Sequence, residues 1–158
     1  MNLEIERKYL VKTDIFKIES FKKINVIQRY LSTIPERTIR VRIKGDNGYL
    51  TIKGKGNKAG VSRFEWEREV SIATAKELFE LCEPGTIDKT RYYVKYYDHL
   101  FEIDEFHGEN KGLIIAEIEL SSEEESFIRP DWLGDEVTGD VKYFNSRLTK
   151  YPYSTWQK

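Results

Sequence analysis

The sequence predicts an α+β fold, an antiparallel barrel or strongly curled sheet with a few helices attached. Three observations predict it. Apolar and polar residues alternate with period two in about eight separate stretches. Short turn signals join most of these stretches, as in antiparallel sheets. Only a few segments carry the 3.6-residue period of a helix.

In order, residues 3–12 read as a strand and 13–24 as a short helix. Thr13 or Asp14 is the expected N-cap of that helix, with Ile15, Phe16, Ile18 and Phe21 as its apolar contacts. Strands follow at 25–32, 37–45, 49–55 and 61–71, with Asp46-Asn47-Gly48 as the hairpin turn. Residues 74–85 have helical spacing and stop at Pro84-Gly85. Three more strands occupy 89–97, 99–106 and 112–120. Residues 121–128 open with serine and carry acids in the first turn, which predicts a helix. Asp140 is the expected cap of a last helix running to about Lys150, before an irregular tail.

The chain has 158 residues, so one domain spanning 1–158 is the default. Its 26 basic and 27 acidic residues nearly cancel, which gives no overall attraction to nucleic acid or membrane. Cys82 is the single cysteine, so no intrachain disulfide can form. Two histidines, His99 and His107, with one cysteine cannot build an ordinary zinc site. No apolar stretch is long enough to cross a membrane as a helix. The simplest reading is a cytoplasmic protein.

The informative pattern is in the charges. Side chains two apart share a strand face. By that parity Glu4, Glu6 and Lys8 lie together, as do Arg40, Arg42 and Lys44, then Lys53 and Lys55. Arg63, Glu65, Glu67 and Glu69 form the next set, followed by Lys89 with Arg91, Glu102 with Asp104, and Glu117 with Glu119. Leu3, Ile5, Val41, Ile52, Phe101, Ile103 and Ile118 take the opposite faces. Two like charges about 7 Å apart repel by roughly 2 kcal/mol at an effective dielectric of about 20. A surface built for solubility would intersperse the signs. Like-charge pairs within strands suggest a divided site, in which acids hold cations and bases hold anions. Oxygen-only ligands point to magnesium or manganese, and the basic groups to phosphate.

These residues carry a resemblance. "EIERK" at the start resembles the ExExK signature of the CYTH superfamily, the triphosphate tunnel metalloenzymes. "RTIRVRIKG", "TIKGK", "FEWERE", "KTRYYV", "FEIDEF", "GLIIAEIEL" and "WLGDEVTGDVKYFNSRL" follow in the family's order, covering essentially the whole chain. The likeness is greatest to the short bacterial members. It implies a closed tunnel of eight antiparallel strands holding a triphosphate and its metal. It implies metal binding by Glu4, Glu6, Asp104, Glu117 and Glu119. It places Lys8, Arg40, Arg42, Lys53, Lys55, Lys89 and Arg91 on phosphate, Lys55 at the tunnel mouth. Lys8, Tyr30, Glu65 and Glu67 take catalytic roles, the two acids near metal or water.

The implied activity is metal-dependent hydrolysis of the terminal phosphoanhydride of a triphosphate, with tripolyphosphate favoured and Mg2+ or Mn2+ as cofactor. A class IV-type adenylate cyclase and a thiamine triphosphatase share the scaffold. A non-catalytic polyphosphate-binding module is a further alternative, disfavoured by the intact acid series. The expected partner is a small triphosphate, without nucleic acid or membrane, and a homodimer stays open. "KGKGNKAG" at 53–60 matches no phosphate-binding loop signature and reads as a rim hairpin. His99, His107, Cys82 and the aromatic tail read as turn, surface and packing residues.

Overall fold

The computed structural model describes residues 3–157. Nine strands are present: β1 (Leu3–Val11), β2 (Lys22–Ser32), β3 (Arg37–Lys44), β4 (Asn47–Gly54), β5 (Ser62–Val70), β6 (Ile87–Tyr96), β7 (His99–Phe106), β8 (Ile114–Glu119) and β9 (Leu133–Glu136). Three helices accompany them: α1 (Phe16–Glu19), α2 (Ile72–Phe79) and α3 (Asn145–Leu148). The strand order is β5-β4-β3-β2-β6-β7-β8-β1-β9, and a further β5–β1 pairing closes the first eight into a barrel. Every pairing is antiparallel. Among the described residues β1 pairs with β5 through residues 3–5, with one more bond from Glu6 N–H to the Val61 carbonyl, and with β8 through 6–10. β9 takes over the remaining edge of β1 at Tyr9 and Val11.

Period two decides which side chains enter the lumen, and here the charged ones do. The apolar core therefore lies outside the barrel wall. One cluster packs Phe16, Phe101, Ile103, Ile118 and Trp132 over β6, β7, β8 and β1. A second gathers Ile87, Phe106, Ile115, Tyr143 and Leu148 beneath the C-terminal segment. Burying each such side chain contributes about 1.5–3 kcal/mol. α2 rests on β2, β3 and β4. It does so over Gly48, where a Cβ would stand 2.9 Å from the Val70 carbonyl and 3.1 Å from the Ala75 Cβ.

The helices depart most from the sequence expectations. The helix expected over 13–24 is a single turn with Ile15 at its N-cap, and β2 has already begun at Lys22. Phe16 is buried, whereas Ile18 is 87% and Phe21 66% exposed. Pairing of Lys22, Lys23 and Ile24 with Tyr93, Tyr92 and Arg91 overrides the apolar spacing. Residues 121–128 form no helix. Glu125 instead accepts bonds from Ser121 N–H and Oγ and meets His99, while Glu123 reaches Ser62 and Asn57. Serine and acid thus bind across the segment's own turn and to the barrel.

The helix expected over 74–85 runs from Ile72 to Phe79, with Ser71 as its cap. The last helix reduces to a 3-10 turn at Val141–Tyr143, capped by Asp140, and the one-turn α3. The β3–β4 hairpin turns at Gly45-Asp46, because Lys44 pairs with Asn47 and Gly45 supplies the positive φ of 60°. β9 was not anticipated; four residues are too few for a period-two signal. Lys158, the end of the tail, lies outside the described residues. Among the described residues no helix is long and apolar enough to cross a membrane.

Candidate active site

The lumen encloses a cavity of about 230 Å³. From β1 come Glu4, Glu6 and Lys8, and from β8 Glu117 and Glu119. Tyr30 enters from β2, Arg40 and Arg42 from β3, Lys53 from β4, Glu65 and Glu67 from β5, Lys89 and Arg91 from β6. Thirteen of the residues expected at the site therefore meet in one space. Lys44, Arg63 and Glu102, read as part of the charged face without an assigned role, also line it.

Two residues stand elsewhere. Asp104 shares the strand face of Glu102 but lies deeper, 1% exposed, gripped by both ends of the Arg91 guanidinium at 2.8 and 2.9 Å and by Lys89 Nζ at 2.8 Å. Its carboxylate is occupied by those two cations. Lys55 follows the last residue of β4 and lines a groove with Lys58 and Arg147 that shares Thr38, Arg63, Phe144 and Ser146 with the lumen, which puts it at the rim.

The cavity is divided by sign, with contacts across the division. Arg40 and Arg42 each donate to Glu67 at 3.4 Å, and Thr51 donates to the same carboxylate at 2.6 Å. Lys53 lies 3.2 Å from both Glu4 and Glu65, and Arg63 is 3.5 Å from Glu4. Arg91 also reaches Glu102 at 3.3 Å. On the acidic side Glu6 stands opposite Glu119 and Glu102 opposite Glu117 in the strand register. Like charges directly opposite are destabilising.

Titration reflects that crowding. Burial, with Glu117 and Glu4 nearby, pushes Glu6 well above the usual carboxylate range. Burial, Glu4 and Glu102 raise Glu119 as well. For Glu117 burial opposes ionisation, but Lys8 and Arg91 outweigh it and hold the carboxyl low. For Glu4, Lys53 and Arg63 overcome burial and bring it to about 2. On the basic side burial lowers Lys89 to about 8, and burial with Arg40 and Arg91 lowers Arg42 to about 10.

Among the described residues no three acids form a ready metal cage. Glu4 and Glu117 are engaged by bases, while among the described residues Glu6 and Glu119 have no ion pair. A crowded all-oxygen donor set, whose mutual repulsion a cation would relieve, is what a hard divalent cation fits.

A family model, "CYTH domain", matches residues 2–150. The chain belongs to the CYTH domain family. The CYTH chain is 44% identical to an inorganic triphosphatase of Acetivibrio thermocellus, with 100% of both chains covered. It is 37% identical to an inorganic triphosphatase of Nitrosomonas europaea, over 92% of this chain and 95% of the relative. A solved structure of an inorganic triphosphatase superposes with a TM-score of 0.63 at 33% identity, covering 92% of this CYTH chain and 93% of the other.

Thr38, Asn145 and Ser146 also line the cavity without having been singled out from sequence, as does Phe144, read from sequence as a packing residue of the aromatic tail. Thr38 shares strand parity with Arg40 and could have been found that way. The other three follow β9 and enter where the chain crosses the barrel end. No periodicity marks such a crossing.

Proposed function

We propose that this CYTH protein hydrolyses the terminal phosphoanhydride of inorganic tripolyphosphate in the barrel lumen, with a divalent cation. One observation carries the reading: a single enclosed cavity sets cations on β3, β4 and β6 against carboxylates on β1 and β8. Family membership and triphosphatase relatives at 44% and 37% identity support it.

Water attacks the terminal phosphorus, the bridging P–O bond breaks, and pyrophosphate leaves as orthophosphate forms. Such a reaction needs positioning and charge neutralisation above all. Arg40 and Arg42 now share the Glu67 carboxylate, an anion standing where phosphate oxygens would bind. Asp104 holds Arg91 and Lys89 in fixed directions, so little ordering remains when the chain of phosphates arrives. Glu6 and Glu119, with Glu4 and Glu117 beside them, would hold the cation, for which magnesium or manganese is the proposed identity. That cation, when bound, neutralises phosphoryl oxygens and draws water into its coordination shell.

The test is phosphate release from tripolyphosphate, ATP and thiamine triphosphate with magnesium or manganese, alongside assays for pyrophosphate and cyclic AMP. Tripolyphosphate should turn over fastest, and EDTA should abolish activity. Cyclic AMP as the dominant product from ATP would overturn the reading.

A further inference from the structure

All but three of the residues lining the cavity come from barrel strands; the exceptions are Phe144, Asn145 and Ser146. Of these, Asn145 makes the informative contacts. Its Oδ1 accepts from Lys89 Nζ at 2.9 Å and from Gln28 Nε2 at 3.2 Å. The same Gln28 Nε2 donates to Tyr30 Oη at 3.0 Å. Gln28 is fully buried, and its Oε1 has no hydrogen-bond partner.

Donor and acceptor ends in this chain are forced. An ammonium only donates, so Asn145 must turn its carbonyl oxygen to Lys89. That oxygen accepts, so Gln28 must turn its amino group to Asn145. The amino group has two protons and spends the second on Tyr30, whose oxygen therefore accepts. The hydroxyl proton must then point away from Gln28. The charged groups acting on Tyr30 are Arg40, Arg63 and Arg42, all donors, and burial keeps the phenol protonated. Among the described residues the Tyr30 proton has no recorded acceptor.

We infer that Asn145 and Gln28 are positioning residues that fix the polarity of the Tyr30 hydroxyl, so that it donates into the cavity to an oxygen of the bound phosphate chain. The inference rests on the proposed triphosphate reading and assigns a specific donor within it. The buried, unpartnered Gln28 Oε1 is the penalty for holding the amide in this sense.

The decisive measurement is the effect of Tyr30→Phe on kcat/KM for tripolyphosphate, taken in four backgrounds. In the wild type, losing a hydrogen bond to a charged group should reduce kcat/KM roughly tenfold to a hundredfold. In Asn145→Asp, which keeps an acceptor toward both Lys89 and Gln28, Tyr30→Phe should cost as much. In Gln28→Glu the hydroxyl proton is drawn to the new carboxylate, and in Asn145→Leu the amide is free to turn over. In both of these the further effect of Tyr30→Phe should largely vanish.

A merely structural role predicts additive losses, so equal Tyr30→Phe effects in all four backgrounds would overturn the inference. No effect in the wild type would overturn it as well. If Gln28→Glu does not fold, the two Asn145 backgrounds decide. Should the wild type bind but not hydrolyse tripolyphosphate, the hydrolase reading fails. The same four comparisons on Kd then test the donor by themselves.

Discussion

Arg42 and Glu119 stand on opposite sides of the charge division, and their substitutions should fail differently. Arg42→Ala removes a charge-assisted contact to phosphate, which typically contributes about 1.5–3 kcal/mol. KM for tripolyphosphate should rise, and added metal should not restore it. Glu119→Gln keeps the shape and removes a carboxylate that lacks a basic partner. Its activity should fall at low magnesium and recover in part at high magnesium. Metal titrations of both variants check the pair, and equal rescue would contradict the division. Lys55→Ala, in the rim groove, should change KM far less than Arg42→Ala. Strand parity was enough to read Glu4, Glu6, Lys8, Arg40 and Arg42 from sequence, because the β period is fixed. It says less at Lys55, one residue past the strand end and at the rim, and at Asp104, where it gives the face but not the depth. Asn145 was beyond reach, since its place depends on where the chain crosses the barrel end.

The segment Ser121–Ile128 and the loop after β4 are held by specific contacts, and each gives a test. Hydrogen bonds from the Ser121 hydroxyl and backbone N–H, with His99 alongside, hold Glu125 at about 2 against an ordinary 4.5. A carboxylate whose folded value is depressed stabilises the fold above its unfolded value and loses that effect as pH falls through the folded one. Glu125→Gln should therefore melt below the wild type at pH 7, with the gap closing between pH 4.5 and 2. Melting curves across that range would show a constant gap if the argument were wrong. Gly60 (φ 74°) meets Gly139 (φ 79°), and a Cβ on Gly60 would lie 2.5 Å from the Gly139 Cα. Gly60→Ala should cost about 1–3 kcal/mol in denaturant melts, through left-handed strain and the clash. Strands were readable because pairing reinforces their period. The helices at 13–24 and 121–128 were misread because local spacing and caps yield to sheet pairing and side-chain bonds from a distance.

The molecule as a whole puts its apolar groups outside the barrel and its charges within, an order that a hydrophobic core alone would not choose. Repulsion among Glu6, Glu117 and Glu119 leaves the lumen awaiting opposite charge. Magnesium with tripolyphosphate should stabilise the fold more than either alone, by about 2.7 kcal/mol at a ligand concentration of 100 times Kd, seen as a higher melting temperature. Calorimetry with and without EDTA checks this, and a stabilisation unchanged by EDTA would count against the shared site. Among the described residues barrel closure runs through the three β1–β5 pairs Leu3–Phe64, Glu4–Arg63 and Ile5–Ser62. The middle pair brings in Glu4, a wall of the cavity. Shutting the cylinder and completing its interior are thus one event at one seam. Amide protons along that seam should exchange with deuterium sooner than those of the long β6–β7 ladder, and slow selectively when metal and tripolyphosphate fill the lumen.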